Sequence, residues 1–110
     1  MRRDHISEYA AHAFASYGAW RRQGCPSEEK SEAFLADMEA CRKALSVLST
    51  EQYAAVSAVY FAPIHSLRDR CAAVRYHANH GAYADERTIY RWLAFARSEF
   101  AKARGLNAEV

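Results

Sequence analysis

Apolar residues recur along this chain at spacings of three and four, the repeat of an α-helix that buries one side. Five such stretches follow one another. In residues 4–21 the stripe is Ile6, Tyr9, Ala10, Ala13, Phe14, Tyr17 and Trp20, with Asp4 placed to cap the start. The Gln23-Gly24-Cys25-Pro26-Ser27 break follows. Ser27 is then the expected cap of a second helix running to about residue 47, whose inner face is Ala33, Phe34, Asp37/Met38, Cys41, Ala44, Leu45 and Leu48. A third helix opens at Ser49, where Gln52 three residues on completes a capping box, and carries Tyr53, Val56, Val59 and Tyr60 until Pro63 ends it. Ser66 with Asp69 repeats the box for a fourth, with Leu67, Cys71, Val74 and Ala78 inward and Gly81 as its stop.

The fifth stretch, residues 84–104, has the clearest pattern. Asp85 is the expected N-cap, and Glu86 adds charge favoured by the helix dipole. Ile89, Trp92, Leu93, Ala96, Phe100 and Ala103 form the stripe, and Gly105 supplies the left-handed stop. Arg87, Thr88, Tyr90, Arg91, Arg97 and Lys102 lie between the apolar positions. The pattern predicts an all-α fold, a compact bundle of about five helices ending in a helix-turn-helix. It forms one domain over 1–110, with a helical pair at 1–47 and the helix-turn-helix region at 48–106.

Composition supports this reading. With only four Gly and two Pro among 110 residues, a turn-rich β fold is disfavoured. Cys25, Cys41 and Cys71 are odd in number and lack a CxxC pair, so a reducing cytoplasm is the expected setting, with Cys41 and Cys71 as small buried hydrophobes. The start, MRRDHISEY, has no apolar run behind its arginines, and neither a secretory signal nor a membrane span is expected.

Net charge is only +2, but it is unevenly spread. Residues 1–26 carry four basic and two acidic groups, residues 27–62 three and six, and residues 63–110 eight and five. The basic excess therefore coincides with the last two helices, where phosphate contacts need it. The second helix has an acidic outer face, Glu28, Glu29, Glu32 and Glu39, on which DNA would not lie.

Tyr83-Ala84-Asp85-Glu86-Arg87-Thr88-Ile89-Tyr90-Arg91-Trp92 resembles the recognition-helix signature of phage transcriptional regulators related to sigma-factor region 4, the ArpU and RinA-like group. The start at Leu48-Ser49-Thr50-Glu51-Gln52 and the end at Val59-Tyr60-Phe61 resemble the approach to that motif. The likeness spans roughly residues 48–106, and the turn before Thr88 is about two residues longer than the family's. The resemblance implies a DNA-binding regulator whose partner is double-stranded DNA, with a homodimer and RNA polymerase or another protein as further partners. Arg87, Thr88, Tyr90 and Arg91 would then face the groove. An Arg fork matches guanine O6 and N7, and Thr a thymine methyl. Arg68, Arg70 and Arg75 would hold phosphates.

Other chemistry finds little purchase. His77 and His80 share a helix face, yet no third or fourth zinc ligand is placed, so no metal is expected. No phosphate-cradling Gly loop, HExxH or nucleophile–base set occurs, and neither an enzyme nor a cofactor is expected. The alternative function is a small helical protein–protein interaction module, an adaptor or inhibitor working through the aromatic first helix or the acidic second.

Overall fold

The structure, a computed structural model, describes residues 2–23, 31–61, 67–80 and 84–106; the side chains of residues 2–4 and 67–69 lie outside that description. Five α-helices account for nearly all of it: α1 Arg2–Gln23, α2 Glu32–Ser46, α3 Thr50–Val56, α4 Leu67–His80 and α5 Glu86–Arg104. A π-helical turn, Ser57–Phe61, extends α3. No strand occurs among the described residues, and the all-α bundle is as the periodicity predicts.

Several helix ends follow from local chemistry. Ser49 accepts from Gln52 N, and the Gln52 side chain accepts from Ser49 N, so the capping box is complete. Asp85 caps α5, and Gly105 closes it at φ 84, a conformation that suits glycine. Two expected starts are corrected. The helix of the first segment begins at Arg2, which places Asp4 inside it rather than at its cap. The second begins at Glu32, where Ser31, in extended backbone, accepts from Phe34 N at 3.1 Å. Ser27, Pro63, Ser66 and Gly81 lie outside the described residues.

Helix α5 is the hub, packing against all four other helices and most extensively against α2. Its fully buried residues are Ile89, Leu93, Ala96, Phe100 and Ala101. This rotates the buried stripe slightly from the expected one. Trp92 is only half-buried, Ala103 is exposed, and Ala101 takes the inward place. The aromatic face of α1 supplies the opposite wall. Phe14 is fully buried, stacked on Tyr60 with centroids 5.6 Å apart and tilted against Phe100 at 5.8 Å. Offset and tilted pairs at these separations are favourable beyond the area they bury. Met38, Cys41, Ala44 and Leu45 of α2, with Ala55, Val56 and Val59, complete the core. Cys41 is buried as expected, and burial pushes its thiol well above the ordinary range. Cys71 and Ala78 are half-buried, and Tyr53 is largely exposed.

Polar side chains then pin the helices together. Asp37 on α2 accepts from the Tyr9 hydroxyl of α1 at 2.9 Å and from Arg104 Nε of α5 at 2.7 Å. Arg97, expected to face outward, instead turns into the bundle. Its Nε donates to Ser7 Oγ at 3.1 Å and its Nη1 to the Tyr60 hydroxyl at 2.7 Å. It follows Leu93 by four residues and precedes Phe100 by three, so the helical repeat places it at the edge of the buried stripe.

Candidate nucleic-acid interface

The candidate surface is built around the first two turns of α5. The Asp85 carboxylate accepts from Thr88 N at 2.9 Å. That backbone hydrogen bond, with the Thr88 hydroxyl next and the nearby Arg87 and Arg91 further, holds the Asp85 carboxyl below the usual carboxylate range. The cap fixes where the helix begins, and burial of Ile89 and Leu93 fixes its rotation about its axis. Positions 87 and 91, one turn apart, are thereby directed outward.

Arg87 and Arg91 are both exposed, and neither has an acidic partner within ion-pair distance among the described residues. Thr88 beside them is half-buried. Tyr90 is 40% exposed, and its phenol lines the same cleft as Cys71 of α4. The hydrogen bond to Cys71, followed by burial, pushes it up to about 12.

The basic residues of α4 divide. Arg70 is turned away from this surface toward α1, where its Nη2 lies 3.0 Å and 3.3 Å from the two Glu8 carboxylate oxygens, and its side chain is only 14% exposed. Arg75 remains open to solvent, its Nε 3.8 Å from Glu86 Oε2. That separation is a loose, solvent-screened pairing. Arg68 lies in the first turn of α4, and its side chain is outside the described residues. The structure therefore leaves Arg87, Arg91 and Arg75 as outward cations beside Glu86, and withdraws Arg70. Further along α4, the His80 ring stacks on Tyr76 with centroids 4.1 Å apart, and its Nδ1 lies 2.9 Å from Tyr76 O.

One feature of this surface follows from residue spacing, which leaves Phe95 off the apolar stripe, and one does not. Phe95 on α5 is 41% exposed, so the outward side of the helix is not uniformly basic. Arg70 pairs with a residue 62 positions earlier, a contact that no local pattern signals. Among the described residues no helix is long and apolar enough to cross a membrane. No protein-family model, curated protein or solved structure matches the chain.

Proposed function

We propose that this chain binds double-stranded DNA as a cytoplasmic transcriptional regulator of the phage type it resembles, with the first turns of α5 in the major groove. One observation carries the reading. Arg87 and Arg91 project from one side of the start of α5, exposed and without an acidic partner among the described residues, on a helix whose rotation is fixed by its core. Helix-turn-helix proteins present base-reading side chains from the same place. Arg75 on the preceding helix is available for a phosphate, with Arg68 of the same helix as its companion. Arg70 has a structural role in this reading, as the partner of Glu8. The protein binds as a dimer, because one such helix contacts few bases and two half-sites double the contacts.

A second reading, a protein-interaction module, is favoured by the exposure of Phe95 and Tyr90 on the same helix. Gel shifts on random and selected duplexes at two salt concentrations separate the two. DNA reading requires binding that weakens steeply with salt. It also requires Arg87→Ala to cost about 1–3 kcal/mol on a selected site with little effect on random DNA, and Arg75→Ala to weaken both alike. No binding to any duplex at low salt assigns the surface to a protein partner instead.

A further inference from the structure

A cleft of about 230 Å³ opens between α1, the π-helical turn, α4 and α5. Val74 and Leu93 form its apolar wall, and Glu8, Arg70, Arg97 and Tyr90 its polar one. We propose that this cleft binds a small carboxylic acid with an apolar body, its carboxylate on Arg97.

The charge balance of the cleft points to an anion. It holds two guanidinium groups and one carboxylate. Glu8 is already engaged by Arg70. Arg97 has no acidic partner among the described residues; its two hydrogen bonds go to the neutral hydroxyls of Ser7 and Tyr60. A guanidinium carries five N–H donors in a planar fork, so three remain for a ligand. A half-buried cation lacking a counter-charge is costly, and a carboxylate accepting two parallel N–H bonds relieves that cost.

The same geometry selects the kind of anion. Ser7 and Tyr60 hold the guanidinium plane from two sides, so the fork is oriented before the ligand arrives. Glu8 on the wall repels a doubly charged phosphate more than a singly charged carboxylate. Val74 and Leu93 are poor neighbours for a fully polar ion and good ones for a ring or branched chain. The cleft is below the ~300 Å³ at which pockets for drug-sized molecules begin, so the body must be small. The cleft shares Tyr90 with the margin of the Arg87–Arg91 surface, but its anchor, Arg97, lies six residues further along α5, and its test involves no DNA.

The test is a thermal melt and an NMR titration of the full chain with sodium benzoate, benzamide and inorganic phosphate, each matched in ionic strength with sodium chloride. Benzoate should raise the melting temperature and shift the resonances of Arg97 Nε–H, Ser7 and Leu93, while benzamide and phosphate should not. Arg97→Lys, which keeps the charge and loses the fork, should weaken the benzoate response, and Arg97→Gln should abolish it. Equal responses to benzoate and benzamide would show an apolar cavity with no anion site and overturn the proposal. A phosphate response exceeding that of benzoate, or no response to benzoate at all, overturns it as well. The contrast among the three probes is read on the wild-type chain, so it holds even if a variant misfolds.

Discussion

Gly18 on α1 lies so close to Phe61 that a Cβ added to it would sit 2.8 Å from Phe61 Cβ and 2.9 Å from Phe61 Cα. The π-helical turn therefore rests directly on the α1 backbone. Phe61 is held there from three directions. Tyr17 and Tyr53 pack on its ring at 5.9 Å and 6.1 Å, and the Arg22 guanidinium donates to its carbonyl oxygen. Alanine in a helix interior is ordinarily better than glycine by roughly 0.5–1 kcal/mol. Here the added methyl meets backbone, which cannot swing aside, and overpacking of that kind costs about 1–3 kcal/mol. Gly18→Ala should accordingly destabilise the protein in urea denaturation. An unchanged or raised midpoint would show that α1 and the π-helical turn separate freely.

The rotation of α5 makes a ranking among its large residues. Phe100 is fully buried between Phe14 and Tyr9, whereas Trp92 is half-buried at the margin. Phe100→Ala should cost about 3–5 kcal/mol, the range for a large core side chain, and Trp92→Ala clearly less. Paired chemical denaturations of the two variants check the order. A larger loss at Trp92 would mean that the stripe expected from spacing alone, with Trp92 among its core residues, is the correct one.

How far the fold can be read from the chain depends on the range of the interaction concerned. Ser49 and Asp85 satisfy donors three residues away, so their caps are written in adjacent letters. The periodic stripes give five helices for the same reason. The inward side of a helix at its margins is set by what packs there, which is why Trp92 and Ala101 exchange roles. Asp37 reads as a boundary residue of α2, but its function of joining Tyr9 and Arg104 spans 28 and 67 residues. Arg70 and Arg97 are outward on a simple alternation of charge and apolar positions. Glu8 draws one inward, and Ser7 and Tyr60 the other, across separations that only the folded chain closes.

Tyr90 gives the protein a measurable response to alkali. Its folded-state value is about 12 against an ordinary 10.0, because the hydrogen bond to Cys71 and then burial favour the neutral phenol. A group whose value is raised on folding contributes stability that is complete below the unfolded value and lost as pH rises through the folded one. The window is therefore pH 10 to about 12. The stability difference between wild type and Tyr90→Phe should be constant below that window and shift against the wild type across it. Urea titrations at three pH values measure this, and a difference independent of pH would mean that the Cys71 contact does not persist in solution.

The acids of the proposed DNA surface bear on binding as its arginines do. Glu86 occupies the first turn of α5, beside Arg87 and 3.8 Å from Arg75 Nε. In free protein its charge suits the positive end of the helix. In a complex the same carboxylate would face phosphates, and it would compete with them for Arg75. Glu86→Gln should therefore raise affinity for every duplex and make the salt dependence steeper, because Arg75 is released to displace one more counterion. Asp85 offers no such gain. Its carboxylate holds Thr88 N, and Asp85→Asn, which retains a capping oxygen, should leave the helix start intact. Arg70 supplies the opposite control. It faces Glu8 rather than the proposed groove, so Arg70→Gln should lower stability and leave the salt slope unchanged. Salt-dependent fluorescence anisotropy on one duplex, with a melt of each variant, measures all three. If Glu86→Gln has no effect on affinity while Arg70→Gln reduces it, the arginines of α4 contact DNA in an arrangement other than the one proposed, and α5 does not lie in the groove.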